Sequence, residues 1–492
     1  MVTKTRKYKK NLITTAISFL SNPKLWIVLT IVFFLIISSV YAVMSLVKHS
    51  HYETFADLGI FNQGIWQFSR FEWPIITFHL NKPFLGDHFD PILIVLAPFY
   101  WIYSSEKTLL FLQPFIILSA IIPLYLISYR LTKSILFSFS ILIAYSFYLP
   151  LQYTIFYDFH DIVFVPPLFA WVYYFYLQNR KLLISLFLIL LLLTKEEVGF
   201  FVATFGLYLL IFQKKWRLFG LSWVFIGIAY SLFVMHILIP AIGGNYGYFN
   251  YGKSGNTPTD VLVNFLKQPS DFLLLFYDNP IKKETLIQTF RPFAFLPLIS
   301  PLSLLLSAEQ FASRFIDLRN VVRWTIGYHY SAIMTIIVSL GTIWSANFYT
   351  RFLPKYRKII LILLSLIILT STRVEQINRS AVLLIKRPQF WARDTWMDYI
   401  DKSLKMIPSN RSVATQNNII SHLSTRKNVY ALNDMDKAEY ILVDFHEGQS
   451  GYNFFGDENW KIIENKIRTG IKDGKYLIVY NEADVFLLKQ PI

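Results

Sequence analysis

Between Lys24 and Lys48 the chain runs from Leu25 to Val47 without a charged side chain. As a helix, at about 1.5 Å per residue, this run is about 35 Å long, more than the roughly 30 Å hydrocarbon layer of a bilayer. It is far longer than the apolar core of a signal peptide and has no small-residue cleavage pattern, so it reads as an uncleaved anchor. Eight further apolar runs follow: Leu109–Tyr129, Ile135–Tyr153, Ile162–Leu177, Leu182–Leu193, Val198–Phe212, Leu218–Ile239, Ser331–Phe348 and Ile359–Thr370. Only 16% of the residues are charged while 54% are hydrophobic. A water-soluble surface cannot be built from that balance, and the apolar excess must face lipid. The expected fold is a polytopic α-helical membrane protein of the plasma membrane.

The distribution of Lys and Arg sets its orientation. Lys4, Arg6, Lys7, Lys9, Lys10 and Lys24 place a cytoplasmic N-terminus at residues 1–24, with Ile13–Leu20 able to lie in the interface. Arg130 with Lys133, Arg180 with Lys181, Lys214 with Arg217, and Arg351 through Lys358 then fall on that same side if there are about nine spans in residues 25–374. Two large loops, 48–91 and 240–291, become external. Ile92–Tyr103 is too short for an ordinary span, and Pro292, Pro297 and Pro301 break Pro292–Leu306, so both read as re-entrant or interfacial. From about Glu375 the composition is that of a soluble protein. RSVATQ, NVYAL, EYILVDF, KYLIVY and DVFLL are strand candidates, with helices over Arg393–Leu404 and Trp460–Thr469. Residues 375–492 are therefore expected to form a small extracytoplasmic α/β domain. The net charge of +16 is explained largely by the basic cytoplasmic loops, and a nucleic-acid partner is not expected. With no cysteine, disulfides and thiolate chemistry are excluded.

Polar clusters stand at the external ends of these runs. Asp57 lies in YETFADLGIFNQGIW, four residues after Glu53, and a carboxylate there can take a proton from an attacking hydroxyl. The competing reading is an N-cap for a short amphipathic helix on the membrane surface, formed by Leu58, Ile60, Phe61, Ile65, Trp66 and Phe68. Asp87, His88 and Asp90 in GDHFDP suit a divalent cation such as Mg or Mn, or sugar hydroxyls; the plainer reading is a turn. Tyr157, Asp158, His160 and Asp161 form YDFHD, a substrate-facing cluster or a solvated loop. Lys195, Glu196 and Glu197 interrupt two apolar runs. Lys195 either meets a phosphate or neutralises Glu196 or Glu197, the ion pair being favoured. Arg291, Glu309, Arg314, Asp317, Arg319, Arg323 and His329 surround the proline-broken segment, where cations suit a lipid-linked phosphate or ordinary headgroups. Of these, His329 and Arg291 are the preferred binding candidates. No Walker, HExxH, GxSxG or dinucleotide fingerprint is present.

The strings FADLGIFNQGIW, GDHFDPILIVLAPFYWIY, LLFLQ, YDFHD, TKEEVGF, GYHYSA and SVATQNNIISHLSTRKNVY resemble a prokaryotic family of predicted membrane proteins, domain of unknown function 2079. Its layout is similar to the GT-C superfamily of membrane glycosyltransferases. That resemblance implies a polyprenyl-phosphate sugar donor, an inverting transfer at the external face, and a glycan, lipid or protein acceptor. It places the catalytic acidic residue at Asp57. No Asp-x-Asp or Asp-Glu pair is present there, which leaves the base between Asp57 and Asp87, with His88 beside it. A transporter or lipid flippase is the principal alternative, disfavoured because no repeated half is evident. A non-catalytic scaffold using the C-terminal domain as its binding module is the third.

Overall fold

A computed structural model describes residues 23–490 except 244, 245, 249, 250, 319 and 378. The expected interfacial helix at Ile13–Leu20, most of the basic N-terminus and Arg319 lie outside the described residues. Every apolar run is helical. Five helices are long and apolar enough to cross a membrane: Lys24–Ser50, Lys107–Thr132, Lys214–Gly243, Ala332–Phe352 and Pro354–Gln376. Ile135–Ser146 and Leu149–Phe156 make a sixth if taken as one span bent by 42°, with Pro150 in the first turn beyond the break. The other three runs are Asp161–Leu177, Lys181–Leu192 and Val198–Phe212. At about 1.5 Å per residue these fall short of the hydrocarbon thickness. The expected nine spans are thus five or six full-length helices and three short ones among the described residues.

Ala332–Phe352 is buried on nearly all sides, which suits a helix that mixes Ile with small residues. Its hydroxyls bond back within the helix: Thr335 donates to the Ala332 carbonyl and Ser339 to that of Thr335. Val198–Phe212 lies against Arg217–Phe233 through glycines on both sides. A Cβ at Gly199 would sit 2.5 Å from the Gly227 carbonyl oxygen, and one at Gly206 2.7 Å from that of Gly220. Backbones can approach this closely only where no side chain intervenes. The break expected at Pro292–Leu306 is present. Two short 3₁₀ turns, Arg291–Phe293 and Leu296–Ile299, are joined through Ala294 and Phe295, both left-handed at φ 53° and 58°. Ser345 satisfies the Leu296 carbonyl from the central helix.

All five C-terminal strand candidates are strands. β1 (Ile75–Ile76) and β2 (Lys82–Pro83) form a small ladder in the 48–91 loop. β3 (Val413–Thr415), β4 (Val429–Ala431), β5 (Tyr440–Asp444), β6 (Leu477–Glu482) and β7 (Val485–Lys489) form one sheet in the order β4-β3-β5-β7-β6. β3 is parallel to its neighbours β4 and β5, and β7 is antiparallel to β5 and β6. The unit begins later than composition suggests. Helix Arg357–Gln376 runs through Glu375, and Ala381, Val382, Leu384, Ile385 and Phe390 still lean on the membrane-side core. Its own cores start at Met397. Tyr52 of the 48–91 loop is built into one of them and donates to Asp401 at 2.5 Å. The two parts of the chain therefore share a core at the place where the site forms.

Candidate active site

Asp57 sits in the first turn of helix Ala56–Ser69 and does not cap it. The free N–H groups of that turn are taken by side chains from elsewhere. Phe55 and Leu58 N–H donate to the Asp158 carboxylate at 3.0 and 3.3 Å, and Ala56 N–H donates to Asn417 Oδ1 at 2.9 Å. With the cap supplied from outside, the Asp57 carboxylate is released. Nor does the helix lie on a membrane surface with its polar face in water. Asn62, Gln63 and Gln67 are buried. Asn62 donates to Ser424 at 2.7 Å and Gln63 to the Arg426 carbonyl at 3.0 Å, so the C-terminal unit covers that face.

The freed carboxylate faces a cavity of about 700 Å³. Its side chain is 40% exposed. Oδ2 accepts from the Tyr157 hydroxyl at 2.9 Å and lies 3.7 Å from His160 Nε2. Oδ1 has no partner among the described residues. Burial would raise this carboxyl, but the bonds from His160 and Tyr157 outweigh it and hold Asp57 below the usual carboxylate range. His160 stacks on His329 with centroids 3.6 Å apart. Burial and the neighbouring His160 keep His329 well below the usual imidazole range, as a neutral ring.

A second group lines the same cavity. Lys82 Nζ is 2.9 Å from Asp87, His79 is 3.5 Å away, and the Tyr248 hydroxyl donates to both Asp87 oxygens at 3.0 Å. Burial opposes ionisation of Asp87, but these donors outweigh it and hold it well below its ordinary value. His88 Nδ1 is 2.7 Å from Glu196 Oε1, and Phe89 N–H donates to Oε2 at 3.0 Å. Burial would raise Glu196, yet His88 and its hydrogen bond take it down to about 2. Burial and Lys195 would lower His88, but Glu196 and Asp87 outweigh both and raise it. Each partner thus favours the charged form of the other.

On the wall formed by Pro301–Phe315 and the following loop, two arginines line the cavity. Arg314 spends Nε on the Arg323 carbonyl at 2.8 Å and Nη2 on that of Thr325, while Nη1 is buried and without a partner among the described residues. Arg323 pairs with Asp317 at 3.3 Å, and its Nε is likewise unpartnered. Unpartnered guanidinium N–H groups beside a cavity suit an anion.

The sequence candidates thus divide. Asp57, Asp87, His88, His160, Lys195 and His329 line one cavity. Asp158 is buried at the start of the Asp57 helix, at φ 30°, and acts on the site through that helix. Glu53 is exposed and outside the lining, and Asp90 is buried outside it, with Oδ1 unpartnered among the described residues. Glu196 lies outside the lining and reaches it through His88 and through Tyr246, whose hydroxyl donates to it at 3.2 Å. Lys195 pairs with Asp161, at 3.6 Å, in place of Glu196 or Glu197. Arg291 is bonded to Glu375 away from the cavity, and the arginines that line it are Arg314 and Arg323 instead. The Asp87–His88–Asp90 set does not fit a cation. Asp87 is occupied by Lys82, His88 by Glu196, and their ligand atoms do not converge. His79, Lys82, Tyr246 and Tyr248 gave no motif. The nearest signal was the aromatic-glycine stretch of the 240–291 loop, which proves to cover the cavity.

A family model described as a predicted membrane protein, DUF2079, matches residues 48–487. No curated protein matches the sequence. Among solved structures, ArnT from Cupriavidus metallidurans bound to undecaprenyl phosphate is similar, with a TM-score of 0.52 and 11% identity over 95% of this chain and 98% of that one. The apo state of the same protein gives a TM-score of 0.48 and 11% identity, covering 94% and 97%. At this identity the likeness is one of fold.

Proposed function

The chain belongs to the DUF2079 family of predicted membrane proteins, and for this member we propose a GT-C-like inverting glycosyltransferase that uses a polyprenyl-phosphate-linked sugar. The observation that carries the reading is the Asp57 carboxylate, one oxygen unpartnered, in the same cavity as two arginines with unpaired N–H groups. A base and an anion site in one cavity are what transfer from a phosphate leaving group requires. The fold shared with a structure bound to undecaprenyl phosphate agrees with it.

In the reaction, Asp57 Oδ1 takes the proton of an acceptor hydroxyl as that oxygen attacks the anomeric carbon. The carbon–oxygen bond to phosphate breaks on the opposite face, and polyprenyl phosphate leaves with the electron pair. Tyr157 and His160 fix the Asp57 rotamer. Arg314 and Arg323 stabilise the charge that develops on the phosphate. The acceptor, a glycan, lipid or protein, approaches on the side of the external loops and the C-terminal unit.

The test is transfer by purified protein in lipid nanodiscs, offered a panel of polyprenyl-phosphate sugars and acceptors, with released polyprenyl phosphate measured. At least one donor is consumed, and Asp57→Asn loses about 10²- to 10⁴-fold in turnover. Undiminished transfer by Asp57→Asn overturns the role of Asp57. Passage of a solute across proteoliposomes without chemical change, and with no donor consumed, overturns the transferase.

A further inference from the structure

Outside the cavity, three titratable groups from distant parts of the chain meet. His49 ends the first helix, Glu106 directly precedes helix Lys107–Leu118, and His422 lies in helix Asn417–Leu423 of the C-terminal unit. One ligand atom of each lies within 4.8 Å of the other two, and none of the three lines the cavity. Their outer partners turn the inner atoms toward one another. His49 Nδ1 is 2.7 Å from Thr54 Oγ1, which leaves Nε2 facing Glu106 Oε1 at 3.0 Å. Ser105 donates to Glu106 Oε2 at 3.0 Å, which leaves Oε1. This is how partners behind a metal ligand select a tautomer and orient a carboxylate.

His422 has no such satisfaction. Its ring stacks on His49 with centroids 3.8 Å apart and 10° between planes, and its Nε2 is buried without a hydrogen-bond partner among the described residues. A buried imidazole nitrogen left unpaired beside a second imidazole and a carboxylate is unfavourable as a set of hydrogen-bonding groups alone. It is an ordinary donor set for a divalent cation. Two nitrogens and one carboxylate oxygen suit zinc, whereas magnesium and calcium favour oxygen throughout.

We propose that His49, Glu106 and His422 bind a zinc-class divalent cation that fastens the C-terminal unit to the membrane-side helices. The fastening bears on the cavity without touching it. Asn417, which caps the Asp57 helix, is on the same short helix as His422, and Thr54 stands between His49 and Ser421.

The test uses the full-length protein, loaded with Zn²⁺ in detergent, freed of excess metal, and analysed by elemental mass spectrometry. About one zinc per chain is expected, since three protein donors make one site. Glu106→Gln, nearly isosteric, and His422→Ala are each expected to reduce it at least tenfold while remaining monodisperse. His88→Ala, in the cavity, keeps the full content. Co²⁺ substitution should give visible absorption that both variants lose, and a chelator should lower the thermal midpoint of the parent but not of Glu106→Gln. Absence of retained zinc and cobalt in the parent, or full retention by Glu106→Gln, overturns the proposal.

Discussion

Asp57 and Asp158 are both carboxylates within one turn of the same helix start, and their surroundings push them apart. Asp57 keeps an open side toward the cavity and two donors on Oδ2, so it stays ionised far below neutrality. Asp158 is buried, and burial together with the Asp57 charge pushes it up to about 6. Its ionised form receives the Phe55 and Leu58 N–H groups. Turnover is therefore expected to fall below about pH 6 as Asp158 protonates and slackens the start of the Asp57 helix. Asp158→Asn should abolish that limb in a pH–rate profile, and a limb that persists would contradict the assignment. The stability consequence has the opposite sign. A carboxyl whose native value lies above its unfolded 3.8 binds a proton in the folded state first, so ionisation costs stability as pH rises from about 4 to 6. Thermal midpoints across that window should show the slope in the parent and lose it in Asp158→Asn.

At the level of elements, the site depends on two helix starts and one close crossing. Removing the Asn417 cap by Asn417→Ala should cost about 1 kcal/mol and lower turnover more than binding of the lipid phosphate, because only the Asp57 helix moves. Gly199→Ala would set a methyl 2.5 Å from the Gly227 carbonyl and force the two helices apart, costing about 1–3 kcal/mol in thermal or denaturant unfolding. Breaking the buried His88 pair by Glu196→Gln should cost about 3–5 kcal/mol near neutral pH. In the parent, the Glu196 contribution is present above its unfolded value of 4.5 and is lost as pH falls toward 2; the variant lacks that dependence. The elements themselves were legible in the sequence, since apolar runs and period-two strands announce themselves through burial. Legible too was that FADLGIF, GDHFDP, YDFHD, TKEE and GYHYSA belong together, because charge at a membrane boundary needs partners. What the sequence hid was which partner each group takes. Nothing near Asp57 indicates that its helix is capped by Asp158 and Asn417, 101 and 360 positions away. Nor does any local pattern separate Arg314, which lines the cavity, from Arg291, bound to Glu375.

For the whole molecule, a membrane-embedded helical body and a small mixed sheet share a core around Tyr52, and Asp57, a few residues on, lines the cavity. Three apolar helices are short for a span, and the tyrosines of the 240–291 loop close over Asp87 and Glu196. The central claim is that one cavity holds both a lipid phosphate and the base that acts beside it. The most direct measurement is a cryo-EM structure of the protein in nanodiscs with undecaprenyl phosphate added. The phosphate is expected within hydrogen-bond reach of Arg314 or Arg323, with Asp57 facing the same cavity and Tyr157 still bonded to it. A phosphate bound elsewhere, with the cavity empty, would contradict the account.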